Sequence, residues 1–140
     1  MNEATAEWVA KAENDFKIAN LALEQKTPIT DAACFHSQQC VEKYLKGFLQ
    51  EHQSEFRREH SLIPLLEECL SVNKGFEQLR SDLKLLDGYA VGVRYPGVDA
   101  SLGMAKDALA SSSHVRAFIR AQLGLLEPEP PKPEDDAAIQ

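Results

Sequence analysis

Cys34-Phe35-His36-Ser37-Gln38-Gln39-Cys40-Val41-Glu42-Lys43-Tyr44-Leu45-Lys46-Gly47-Phe48-Leu49 is the stretch that decides the fold. Its apolar residues do not alternate as they would in a strand. Ala33, Cys40, Tyr44 and Phe48 form one edge of a stripe and Val41, Leu45 and Leu49 the other, the spacing of an α-helix that buries a broad face. Such a helix is expected to run from about Pro28 to His52. Pro28 suits a first turn, where the missing N–H is not needed. The opposite face carries a polar row. His36 and Lys43, seven residues apart, nearly eclipse each other at 100° per residue, and Gln39 lies close to the same line. Two readings of that row stand side by side. Either it faces a partner or a groove, or it is a solvated helix face on which Glu42 and Lys46 form an i,i+4 ion pair worth roughly 0.2–0.5 kcal/mol.

Helical spacing continues on both sides. Upstream, Trp8, Ala12, Phe16, Ala19 and Leu23 predict a helix from about Asn2 to Gln25, stopped at Thr27-Pro28 because a residue before proline is pushed out of the α region. Downstream, Gln53–Glu59 is polar and loop-like, and Ser61 is placed to cap a short helix over Leu62–Val72 that ends at Asn73-Lys74-Gly75. Phe76, Leu79, Leu83, Leu86, Ala90 and Val93 predict a fourth helix, broken at Tyr95-Pro96-Gly97. A fifth is expected from Asp99–Ser101 to about Leu126. The expected fold is therefore all-α, an antiparallel up-and-down four-helix bundle with an additional short helix, because brief connections make neighbouring helices antiparallel.

Residues 1–126 form the expected domain, and 127–140, Pro-rich and acidic, a disordered tail. Of the net charge of -7, the tail carries -4 from five acids against Lys132, so the bundle itself carries only -3 and has no broad basic field for phosphate backbones. No run of 18 apolar residues is present to span a membrane, the acidic amphipathic N-terminus is unlike a signal peptide, and the three cysteines read as free buried thiols. Those features point to the cytoplasm. The sequence holds no H-E-x-x-H, no phosphate-cradling glycine loop, no G-x-S-x-G and no zinc-type pairing of histidine and cysteine, so neither a metal nor a cofactor is expected.

Two further places carry chemistry-bearing groups. Arg94 and Tyr95 sit where the fourth helix breaks, a position from which side chains project into a cleft, although Arg94 also serves to complement the helix dipole. His60 precedes the Ser61 cap, where it either helps close the helix start or acts as a proton carrier.

Taken together, Ala12-Glu13-Asn14-Asp15-Phe16-Lys17-Ile18-Ala19, the string Phe35 to Gly47, His60-Ser61-Leu62, Arg94-Tyr95-Pro96 and the long small-residue-rich last helix resemble the HEPN domain, named for higher eukaryotes and prokaryotes nucleotide-binding. The resemblance implies a homodimeric bundle that works with a separately encoded minimal nucleotidyltransferase, often as a toxin–antitoxin pair. It implies a nucleotide- or partner-binding role for His36, Gln39, Lys43, Arg94 and Tyr95. Some members of the family are metal-independent ribonucleases with an Arg-x(4–6)-His motif, in which arginine holds the scissile phosphate and histidine moves the 2′-hydroxyl proton. Here the pattern is incomplete. The residues five to seven beyond Arg94 are Asp99, Ala100 and Ser101, and none of the six arginines has a histidine at the required spacing. RNA cleavage would need Arg94 with His60 or His36 supplied from another helix. The alternatives are thus a nucleotide-binding and docking domain, a ribonuclease with a rearranged site, or a bundle whose polar rows are only solvated.

Overall fold

The computed structural model describes residues 1–54, 56, 60–89, 96–97 and 99–125. Within them the chain forms α1 (Glu3–Glu24), α2 (Thr30–Glu51), α3 (Leu62–Val72), a 3-10 turn over Lys74–Leu79 that leads into α4 (Arg80–Asp87), and α5 (Leu102–Gln122). It is an all-helical bundle. The expected fourth helix from Phe76 differs, because the chain first winds as the tighter 3-10 turn. Asn73 caps that turn, its side-chain oxygen accepting from Gly75 N at 2.8 Å. Val93 and the Arg94-Tyr95 corner lie outside the described residues.

Helix ends follow local chemistry. Asn2 is the N-cap of α1, with Oδ1 accepting from Thr5 N at 2.8 Å, and its own N–H reaches Glu51 at the end of α2. Ser101 caps α5 by accepting from Met104 N. Ser61 occupies the α3 N-cap without a side-chain cap bond, and Leu62 N–H donates instead to Asp87 of α4 at 2.9 Å. The last helix stops at Gln122, short of the expected Leu126. Gly124 adopts φ 72°, and Leu125 N and Gly124 N bond back to Arg120 O and Ala121 O, closing a Schellman motif.

Direction follows from which ends meet. Asn2 at the start of α1 meets Glu51 at the end of α2, so these two run antiparallel. Asp82 of α4 meets His114 of α5, while Gly75, before α4, approaches Phe118 further along α5, so these two are antiparallel as well. The first helix after α2 is the exception. The chain re-enters at His60, level with Gln38 and Glu42, and Cys69 then lies against Leu45, so α3 runs in the same sense as α2. Asp31 of α2 also accepts from Ala100 N just ahead of α5, so α2 and α5 start at the same end and run together.

The core is built around α2, which is buried on nearly every side. Phe48 packs against Phe76 with the rings tilted and centroids 4.4 Å apart, and Phe76 meets Phe118 edge-on at 5.0 Å, joining α2, the 3-10 turn and α5. Cys34, Cys40 and Cys69 are free and buried, and burial pushes the Cys34 thiol up to about 11 and the Cys40 thiol up to about 12, far from the thiolate form. The helices α1 and α2 pack tightly at Gly47, where an added Cβ would stand 3.1 Å from Trp8 Cβ. Gly47→Val is therefore expected to push the two helices apart and to cost about 2 kcal/mol, despite valine's better helix propensity. A urea midpoint equal to that of the natural protein would contradict the close contact.

Candidate functional site

Beyond Ala33, the half-exposed residues of α2 are Phe35, His36, Gln39, Lys43, Gln50 and Glu51. All but the last fall on one strip, so the polar row anticipated from spacing is the part of the central helix that reaches water. It is not a loose solvated face. Asp15 of α1, its side chain only 8 % exposed, sits against the strip, with Oδ1 2.7 Å from His36 Nδ1 and Oδ2 accepting from Lys43 Nζ. One buried carboxylate thus holds two donors that are each about one-quarter exposed. When Nδ1–H of His36 donates to Asp15, the imidazole is fixed in the tautomer whose Nε2 carries the lone pair, and protonation turns that Nε2 into a second donor. Charge-assisted bonds to an acceptor of fixed position keep both side chains pre-set.

The strip also connects to His60. Gln39 Nε2 donates to Gln38 Oε1 at 2.7 Å, and Gln38 Nε2 donates to the His60 carbonyl at 3.3 Å. The His60 imidazole, 79 % exposed, places Nδ1 3.4 Å from Glu42 Oε2. Glu42 and Lys46 do pair, at 3.2 Å, but the expectation of a surface pair is corrected, since both side chains are buried. Lys46 Nζ lies 5.6 Å from the Trp8 ring centroid, and among the described residues Glu42 Oε1 is buried without a hydrogen-bond partner. The contact of Trp8 with Lys46 comes from α1, and no pattern within α2 reveals it.

A second polar cluster locks three helices together. Glu13 accepts from Tyr44 Oη at 2.6 Å and from Arg116 Nε and Nη2 at 2.7 Å each, and Arg120 lies 3.7 Å from the same carboxylate. Arg116 also stacks over Phe16 at 4.5 Å. Burial would raise the Glu13 carboxyl, but the bonds from Arg116 and Tyr44 and the two arginine charges outweigh it and hold the group below its ordinary value of 4.5. Burial first, then the bond to Glu13, raise the Tyr44 phenol, so it stays protonated as a donor. A depressed carboxyl stabilises the fold above its unfolded value and loses that contribution as pH falls through the folded value. The stability difference between the natural protein and Glu13→Gln is therefore expected to be full above pH 4.5 and to shrink below it, read from denaturation midpoints across that range. A difference independent of pH would show that the carboxylate charge is not what matters.

Of the candidates taken from the sequence, His36 and Lys43 meet on Asp15, Gln39 is linked through Gln38 to the His60 backbone, and the His60 ring faces Glu42. Arg94 and Tyr95 lie outside the described residues. Asp15 is the residue that pattern reading missed as a partner. Its signal was present, because it falls between Ala12 and Ala19 on the buried face of α1, where a carboxylate has to find a donor. The described residues contain no helix long and apolar enough to cross a membrane.

The bundle, with its central helix reaching water along one polar strip, defines the class as an all-α helical domain. The chain belongs to the HEPN domain family, whose model matches residues 5–122. The solved structures similar to it include TT1696 from Thermus thermophilus, at 26 % identity and a TM-score of 0.71 over 87 % of this chain and 99 % of that one. They also include ST0689, an archaeal HEPN homologue, at 25 % identity and a TM-score of 0.66 over 87 % of this chain and 98 % of that one. No curated protein matches it.

Proposed function

We propose that this HEPN domain is a homodimeric nucleotide-binding and docking module that works with a separately encoded minimal nucleotidyltransferase, in a pairing of the toxin–antitoxin kind. The observation that supports the reading is the strip on α2, where a buried Asp15 holds His36 and Lys43 at the surface. Donors kept in place by a buried carboxylate lose little conformational freedom when they meet an anionic group, so more of the interaction appears as affinity. Gln39 adds an amide beside them, and Arg94 and Tyr95 complete the candidate set. Lys43→Ala is expected to weaken nucleotide binding and capture of the nucleotidyltransferase about tenfold, which corresponds to about 1.4 kcal/mol, without moving the melting midpoint by more than a few degrees. Calorimetric titration and co-purification provide the check. A Lys43→Ala protein that binds both as tightly as the natural one would remove the strip from the reading.

A second reading, metal-independent RNA cleavage, has one observation in its favour. His60 is an exposed imidazole aligned by the carboxylate of Glu42, an arrangement suited to moving a proton. It requires that RNA be cut in the presence of a chelator and that both His60→Ala and Arg94→Ala stop the reaction. Intact RNA after incubation with the natural protein rules it out.

A further inference from the structure

Away from the His36 strip, the end of α2 and the start of α1 form an aromatic groove. Gln50, Gln53, Ser54 and Phe56 line a recess of about 500 Å³. Ala4, Glu7, Trp8 and Lys11 line a narrower one of about 180 Å³. Two rings join them, Trp8 meeting Phe56 with centroids 6.3 Å apart at 64°. Lys46 Nζ stands 5.6 Å from the same indole, so the ring is held by two neighbours, yet Trp8 and Phe56 both stay half-exposed. Held aromatic rings beside side-chain amides are what a polyproline II segment recognises. Its proline rings lie on the aromatics, and its carbonyls, which make no internal hydrogen bonds, accept from amide donors, here Gln50 and Gln53.

The chain carries such a segment itself. Glu127-Pro128-Glu129-Pro130-Pro131-Lys132-Pro133-Glu134 follows Leu125 by two residues, and its composition favours polyproline II. It departs from the right end of the bundle. Since α5 runs with α2 and α1 runs against it, the end of α5, the end of α2 and the start of α1 share one end. The eight residues from Leu125 to Pro133 span about 25 Å at about 3.1 Å each, slightly more than the breadth of two helices of about 10–12 Å.

Charge sets direction and register. Glu7 and Lys11 stand four residues apart on α1, about 6 Å along its axis. Lys132 and Glu134 stand two residues apart, also about 6 Å in polyproline II, with Pro133 between them. A tail arriving from the start of α1 meets Glu7 before Lys11, so Lys132 faces Glu7 and Glu134 faces Lys11. The reverse direction would set Lys132 against Lys11. We infer that residues 127–134 seat in this groove of their own bundle as a polyproline II strand, with Pro133 on Trp8 and Pro130-Pro131 toward Phe56. The short tether holds the tail at a millimolar effective concentration, so contacts too weak to capture a separate peptide suffice within one chain.

Trp8 is the only tryptophan, so its fluorescence reads the groove directly. The test is acrylamide quenching of the full chain, with far-ultraviolet circular dichroism verifying that each variant keeps its helices. In Pro130→Ser/Pro131→Ser/Pro133→Ser, Trp8 is expected to be quenched about twofold more steeply than in the natural protein, because a seated proline shields one of the two faces of the ring. Lys11→Glu and Glu134→Lys each open part of the groove, and the exchange Lys11→Glu/Glu134→Lys restores the natural protection. Protection in the natural protein stays constant over a wide range of protein concentration. A triple serine variant quenched like the natural protein would overturn the inference. Protection that grows with protein concentration would also overturn it, by giving the groove to a second copy. An exchange variant as open as its single parents would overturn the seat between Glu7 and Lys11.

Discussion

Asp15→Ala is expected to destabilise the domain by about 2–3 kcal/mol and to abolish the nucleotide binding proposed for the α2 strip. The carboxylate is almost wholly buried and accepts from both His36 and Lys43. Removing one partner of a fully buried pair costs roughly 3–5 kcal/mol, because the remaining charge has no counterpart. Here the donors are each about a quarter exposed and regain some water, which lowers the figure. Binding suffers for a different reason. Without Asp15 the imidazole is free to change tautomer and the lysine is free to sample other rotamers, so both must be ordered by the ligand itself. A double-mutant cycle separates the two effects. Asp15→Ala and Lys43→Ala share one bond, so their combined cost is expected to fall about 1 kcal/mol short of the sum of the single costs. Additive costs would mean that the pair contributes nothing and that the strip is not pre-set by Asp15.

Phe76→Ala is expected to cost about 3–5 kcal/mol, the upper range for truncating one core side chain. Phe76 is fully buried between Phe48 and Phe118 and is the ring through which the 3-10 turn joins α2 and α5. Alanine there removes the edge-to-face contact and leaves a cavity walled by rigid helices that cannot close on it. Since single domains are stable by only about 5–15 kcal/mol, the loss takes a large part of the total. It should appear as a lower urea midpoint at unchanged slope. A loss under about 1 kcal/mol would mean that the 3-10 turn is not anchored through this ring.

How much was legible in the sequence differs from element to element. The apolar spacing of α1 and α2 marks both helices to within two residues, because helical periodicity is a local property of the chain. The polar row His36, Gln39, Lys43 is legible for the same reason. The stop of α5 was legible in principle, since Gly124 is the residue that a Schellman motif takes, but the apolar pair Leu125-Leu126 beyond it suggested continuation. The 3-10 turn was not legible. Its Phe76 and Leu79 fit an α stripe equally well, and only packing against Phe48 and Phe118 selects the tighter winding.

By itself, then, the sequence determined that the chain folds into helices, which of their faces are oily, and that α2 carries basic and amide side chains along one line. These follow from residue type and spacing within a single helix. Tertiary structure alone decided what those side chains meet. Glu13 and Arg116 are 103 residues apart, Asp15 reaches a helix 21 and 28 residues away, and the buried Lys46 of the Glu42–Lys46 pair lies against Trp8 of another helix. The rotation of each helix about its axis sets these meetings. That rotation is settled when all the apolar stripes pack at once, so no one segment contains it.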